Sequence, residues 1–162
     1  KADMTMIRAD IVRDDLAQVP EWPADGFDCV VCFETFEHVP VAFQEEFMRR
    51  LRAWTKPGGV CLFSTPNAGV SKSVADNHQV GDEVRERTYA DKAAMAAAAG
   101  FTVADSYGVF SAKSYLPEEV QQHLDQNPMF AKAKELYDAS LFNCIISPAY
   151  PEHSNNSLMV LR

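Results

Sequence analysis

From residue 27 to residue 33 the chain reads Phe-Asp-Cys-Val-Val-Cys-Phe, a short and nearly continuous apolar run. Such a run predicts a strand covered on both faces, as in a parallel sheet. The period then changes. Phe43, Phe47, Leu51 and Trp54 recur at spacings of four, four and three, which places them on one face of a helix over Val41 to Trp54. Pro40 suits the first turn of that helix. Lys56-Pro57-Gly58-Gly59 predicts its end, and Val60-Cys61-Leu62-Phe63 predicts another strand, which Thr65-Pro66-Asn67 leaves. Upstream, Met4-Thr5-Met6-Ile7 reads as a short strand, and residues 14–25 form a polar stretch with turn signals at Pro20, Pro23 and Gly26.

Residues 68–87 are polar and without period, which predicts a long surface loop; loops of that length inside a domain are usually functional or disordered. Thr88 and Asp91 have capping-box spacing and open an Ala-rich helix that Gly100 closes. A strand is predicted over Phe101 to Phe110, helices over about 117–126 and 128–141, and a last strand over Ser157 to Leu161; there is no internal repeat. Alternating strands and helices argue for an α/β fold with a mostly parallel sheet and flanking helices. In such sheets ligands bind beyond the carboxyl ends of the strands. That singles out Asp10-Ile11, Phe33 to His38, and Ser64 to Asn67.

Composition narrows the classes. The 162 residues are one domain's worth, and 47% hydrophobic with 23% charged excludes low-complexity and disordered chains. The net charge of −8 disfavours a nucleic-acid partner, and the one basic run is Arg49-Arg50-Leu51-Arg52. No apolar run approaches the roughly 20 residues that span a bilayer, so no membrane partner is expected, and the start carries no signal-peptide pattern. Cys29, Cys32, Cys61 and Cys144 sit mostly in apolar runs, which suits reduced thiols and a cytoplasmic location. Cys29 and Cys32 are a C-x-x-C by count only, because side chains three apart on a strand point to opposite faces. The chain starts at Lys1 with strand-like sequence following almost at once, from which we expect that the N-terminus of a longer protein is absent.

Glu34-Thr35-Phe36-Glu37-His38 is the most informative stretch. If the chain turns into a helix after Phe33, positions i, i+3 and i+4 share a face, and Glu34, Glu37 and His38 converge. Two carboxylates and an imidazole favour Mg2+ or Mn2+ over zinc. The alternative is that these carboxylates shape the site and hydrogen-bond the start of the helix. Asp10, following a strand, is either an acceptor aimed at a ligand or a loop Asp that caps its own turn.

At these segments the chain resembles the class I S-adenosylmethionine-dependent methyltransferases. Phe27 to Val39 (FDCVVCFETFEHV) is similar to a strand and post-strand motif of small-molecule O-methyltransferases. Lys56 to Asn67 (KPGGVCLFSTPN) resembles the next strand with its Pro-Gly-Gly turn, Thr88 to Phe101 the following helix, and Arg8 to Ile11 the loop after the family's third strand. The departure is upstream. The family's first strands and Gly-rich turn should precede all of this, and none of the seven glycines belongs to a G-x-G-x-x-G.

The resemblance implies a Rossmann-like sheet whose first strands are missing, forming the C-terminal part of a single methyltransferase-like domain over residues 1–162, with a helical insertion at about 117–141. It implies S-adenosylmethionine as methyl donor. Asp10 would accept from the adenine amine and the Ile11 amide would donate to the ring, while Cys32 and Phe33 would border the cofactor. E-x-x-E-H also resembles two metal-using groups, the ubiquinone-pathway O-methyltransferases and the enzymes that methylate the terminal ribose of small RNAs. In the latter a further His completes the site, and His78 lies in the corresponding loop. The implied reaction is methyl transfer to an oxygen of a small-molecule acceptor. A cation held by Glu34, Glu37, His38 and His78 would acidify the hydroxyl, or His38, with Glu37, would act as general base. Alternatives are a ribose 2'-O-methyltransferase, a catalytically inactive binding or regulatory subunit, and a nucleotide-binding oxidoreductase. Tyr89, Tyr107 and Tyr115 could border a substrate pocket, while His123 and His153 read as surface residues. The helical insertion would be a lid or a homo-oligomer contact, with Phe130, Leu136, Tyr137 and Leu141 on its apolar face.

Overall fold

A computed structural model describes residues 4–68, 70, 79–80 and 83–162. The first regular unit is a strand, a helix and a strand: β1 (Phe27–Phe33), α1 (Val41–Trp54) and β2 (Thr55–Pro66). β1 and β2 run parallel, with Val30 opposite Cys61 and Phe33 opposite Ser64. β2 follows α1 without a gap, so it takes in Lys56-Pro57-Gly58-Gly59. The register slips there, between Phe27 and Cys29. Gly59 permits the slip because a Cβ at that position would lie 3.0 Å from the carbonyl oxygens of Phe27, Asp28 and Lys56.

Gln79–Val80 (β3) and Glu83–Val84 (β4) pair antiparallel, and Asn67 bridges to Arg87. The predicted loop over 68–87 is therefore partly paired; most of its remainder, His78 included, lies outside the described residues. α2 (Tyr89–Ala98) starts as its capping signal predicts, with Thr88 Oγ1 accepting from Asp91 N at 3.1 Å and donating to Asp91 Oδ2 at 2.7 Å. It ends before Gly100, whose φ of +91° provides the left-handed turn. Then come β5 (Val103–Val109), α3 (Glu118–Gln126), α4 (Pro128–Leu136), α5 (Ala139–Ile146) and β6 (Asn156–Leu161).

The strand order is β1-β2-β6-β5, and β6 is antiparallel to both of its neighbours. The fold class is α/β with an open sheet and flanking helices, as expected. Among the described residues, however, the sheet is mixed rather than mostly parallel. Apolar period identifies a strand but not its direction, which depends on the end of the sheet from which the chain re-enters.

Three other expectations are corrected. Residues 4–7 form no strand, and Met4 and Met6 are 83% and 88% exposed. β1 is not covered on both faces: Val31 and Phe33 are about half exposed. The helix predicted over 128–141 breaks at Tyr137–Asp138 into α4 and α5, leaving Leu136 and Tyr137 exposed while Phe130 packs inward. Leu141's side chain lies outside the described residues.

The main core joins α1, α2 and the sheet through Phe36, Phe47, Met48, Leu51, Phe63, Ala96, Phe101, Met159 and Leu161. Phe36 meets Phe63 edge-on with ring centroids 5.3 Å apart. On α1 the buried face is Gln44, Phe47, Met48 and Leu51, while Phe43 is exposed. The face is turned from the predicted one because Gln44 buries with polar partners of its own. A second cluster, Leu116, Leu124 and Ile146 with Phe130 and Tyr150, holds the α3–α5 region together. The basic run on α1 is taken up locally: Arg49 and Arg50 pair with Glu46, Arg50 also donates to the Asp14 carbonyl, and Arg52 to those of Thr55 and Gly100. No helix among the described residues is long and apolar enough to cross a membrane.

Candidate active site

β1 ends at Phe33, and the backbone there turns sharply. Glu34 has a φ of +49°, a left-handed conformation that costs a non-glycine residue roughly 1–2 kcal/mol. Its N–H donates to the Ser64 carbonyl at 2.8 Å, which prolongs the β1–β2 pairing by one bond. Its carboxylate then joins three strand ends. Oε1 accepts from Ser64 Oγ of β2 at 2.8 Å, and Oε2 from Asn156 Nδ2 of β6 at 2.6 Å. The hydrogen bonds to a charged acceptor offset the strain.

Phe36–His38 is a single 3-10 turn, not a helix that includes Glu34. Phe36 fills the core. Glu37 is buried as well, and its Oε2 accepts from Thr65 Oγ1 at 2.7 Å. His38 is exposed, with Nε2 3.9 Å from Glu37 Oε1, and its carbonyl accepts from Arg85 at 3.1 Å. The face predicted to gather Glu34, Glu37 and His38 does not form, because the left-handed residue and the short turn send the three side chains to different partners. Among the described residues no group of three His, Cys, Asp or Glu side chains could hold a metal ion. His78, the fourth expected ligand, lies outside the described residues, and no observation supports Mg2+ at Glu34, Glu37 and His38.

The cofactor-side candidates divide. Ile11 and Cys32 line one largely apolar cavity of about 360 Å³, together with Val31, Thr35, Phe47 and Trp54. Phe33 is half exposed at the end of β1. Asp10 lines a different, smaller hollow with Val12, Arg13, Pro40 and Phe43. Its Oδ1 accepts from the N–H groups of Val12 at 2.9 Å and Arg13 at 3.1 Å, and these bonds hold its carboxyl below the usual value. Asp10 thus caps its own turn while remaining exposed, and its second oxygen, 3.8 Å from Arg13 Nε, retains acceptor capacity.

Cys29 is exposed and Cys32 buried, although both line the apolar cavity. All four cysteines are free, and burial pushes the thiols of Cys32 and Cys61 up to about 12, which makes them inert. Tyr89 hydrogen-bonds Ser106 Oγ, and Tyr107 donates to Asp105, so both hydroxyls serve β5.

Sequence reasoning missed Ser64, Asn156, Thr65 and Lys92. Ser64 and Thr65 lie in a stretch singled out by position, but nothing marked their hydroxyls as partners of Glu34 and Glu37. Lys92 sits on an Ala-rich helix and is fully buried, with Nζ donating to the carbonyls of Pro66 at 2.9 Å and Thr65 at 3.4 Å.

The sequence profile of a family described as a methyltransferase domain matches residues 4–114, over two thirds of this chain and including Asp10, Ile11, Cys32, Phe33, Glu34, Glu37, His38 and Lys92. The chain belongs to the methyltransferase domain family. A Mycolicibacterium smegmatis protein named as a probable S-adenosylmethionine-dependent methyltransferase is 37% identical over 105 residues, covering 64% of this chain and 39% of that protein. The crystal structure of a SAM-dependent methyltransferase from Archaeoglobus fulgidus superposes with a TM-score of 0.56 at 12% identity, covering 96% of this chain and 66% of that one. A second, from Mesorhizobium loti, gives 0.50 at 15% identity, covering 96% and 68%. At such identities the two structures speak for the fold alone. This methyltransferase domain spans well under half of its Mycolicibacterium relative and about two thirds of the Archaeoglobus chain.

Proposed function

We propose that this chain is part of an S-adenosylmethionine-dependent methyltransferase that acts on an oxygen of a small-molecule acceptor. The observation that carries the reading is the family match over residues 4–114. S-adenosylmethionine, when bound, supplies an electrophilic methyl group on a sulfonium. What supports this for the adenosyl part is limited to single features: Ile11 and Cys32 line an apolar cavity, Phe33 offers an exposed ring, and Asp10, in a separate hollow, has an oxygen 3.8 Å from Arg13 Nε that retains acceptor capacity. These four would hold the cofactor.

For the acceptor, His38 is the exposed base of the cluster, with the Glu37 carboxylate 3.9 Å behind it. An imidazole so placed can take a hydroxyl proton as the oxygen attacks. No step is assigned to Mg2+, since the oxygens of Glu34 and one of Glu37 already accept hydrogen bonds within the protein. The free cysteines and the absence of a membrane-spanning helix among the described residues support a cytoplasmic location. The exposed Leu136 and Tyr137 support a homo-oligomer contact at the helical segment.

Calorimetric titration of the full-length protein with S-adenosylhomocysteine, with and without Mg2+, tests the reading. Binding indifferent to Mg2+ is expected, followed by chelator-insensitive methylation of a hydroxyl compound in an acceptor screen. No heat would overturn the enzyme in favour of an inactive binding subunit. Binding or turnover that requires Mg2+ would overturn the metal-free reading.

A further inference from the structure

Lys92 is 0% exposed and used by nothing so far described. A buried ammonium is tolerated only where acceptors and countercharge meet it. Here both do. Its Nζ donates to the carbonyls of Thr65 and Pro66, the last residues of β2. Thr65 in turn donates through Oγ1 to Glu37 Oε2. A continuous line of contacts therefore runs from α2, through the end of β2, to the turn that bears Glu37 and His38. The charged groups acting on Lys92 are all acidic: Glu34 and Glu37 from the segment after β1, and Glu86 from the segment leading into α2. Glu37 and Glu86 are themselves almost fully buried.

We propose that Lys92 is a positioning residue of the candidate active site: it anchors the carboxyl-terminal end of β2 and supplies the cation against which Glu37 is held at Thr65, and so sets the carboxylate behind His38. The active-site role rests on the methyltransferase reading, whereas the link between Lys92 and Glu37 does not. Burial lowers Lys92 to about 7, against the raising effect of the three carboxylates, so the countercharge is present in mild acid and withdrawn in mild base. A lysine that merely filled space would show no such dependence.

The test is a double-mutant cycle in the full-length protein, with Lys92→Met, Glu37→Gln and the double variant, read as urea unfolding at pH 6 and pH 9. At pH 6 the effects of the two substitutions on the unfolding constant are expected to miss additivity by at least about threefold. At pH 9 they are expected to become additive. Additivity at pH 6, or the same non-additivity at both pH values, overturns the proposal. Should Lys92→Met fail to fold, lysine 13Cε resonances serve instead. The Lys92 signal is expected to titrate between pH 6 and 9 in the unmodified protein, with a midpoint that moves in Glu37→Gln; an unmoved midpoint overturns the link. Absent S-adenosylhomocysteine binding by the unmodified protein would defeat the methyltransferase reading instead, and it is read from a different curve.

Discussion

Asn156 Nδ2 donates to Glu34 Oε2 at 2.6 Å, joining residues 122 positions apart. The bond closes the gap between the outer strand β1 and β6, with β2 between them contributing Ser64 to the same carboxylate. Glu34 carries two opposing terms, a left-handed backbone and a fully engaged carboxylate. Glu34→Gly relieves the first and forfeits the second. Its unfolding free energy from urea denaturation is therefore expected to stay within about 1 kcal/mol of wild type. A large loss of stability would mean that the hydrogen bonds outweigh the strain.

Lys92 makes stability depend on pH. Its value is about 7 when folded and near 10.5 when unfolded, so between those limits the unfolded chain binds more protons and stability rises with pH. Below pH 7 both states are protonated and the cost of burial is at its greatest. Lys92→Met removes this slope. The stability difference between wild type and Lys92→Met, measured by denaturation, is expected to shift towards wild type by at least about 1.4 kcal/mol from pH 6.5 to pH 9.5, the worth of one pKa unit. A flat difference would place the lysine in water.

Thr88 both accepts from the Asp91 N–H and donates to its carboxylate. Thr88→Ala is expected to cost about 1 kcal/mol, and Thr88→Ser to recover most of it. Because Lys92 lies in the first turn of this helix, hydrogen exchange should show amide protection falling first around residues 89–92.

Gly108 faces a wall. A Cβ there would stand 2.1 Å from both the Ser147 carbonyl oxygen and Ser154 Oγ. Gly108→Ala is expected to lose about 1–3 kcal/mol or more, because the β5 backbone must move away from the segment after α5. Gly58, with nothing within 4 Å of such a Cβ, is the comparison site, where an alanine meets only the cost of a positive φ. Thermal melts of the two variants rank them.

Thiol labelling separates the four cysteines. Cys29 and Cys144 are exposed and should react with maleimide in the native protein, whereas Cys32 and Cys61, buried and pushed up to about 12, should react only on unfolding. Mass spectrometry of labelled peptides gives the order directly.

Much of this protein is legible in its letters because the signals are local. The capping hydroxyl of Thr88, the glycine after Ala99 and the apolar periods over 27–33 and 41–54 each act within a few residues, and each element forms where its signal lies. The resemblance of residues 8–11, 27–39, 56–67 and 88–101 to a methyltransferase is legible for the same reason, since it is carried by short contiguous strings. What the chain alone left open depends on partners distant in sequence. Strand direction was decided by how β6 enters between β2 and β5. Glu34, Glu37 and His38 were parted by one left-handed residue, and the carboxylates found Ser64, Asn156 and Thr65 on other strands. Gln44 and Lys92, polar letters on which the sequence offered no reading, are buried where carbonyls meet their side-chain nitrogens. Residue type sets what a side chain can bond, and only the assembled sheet sets which bonds are within reach.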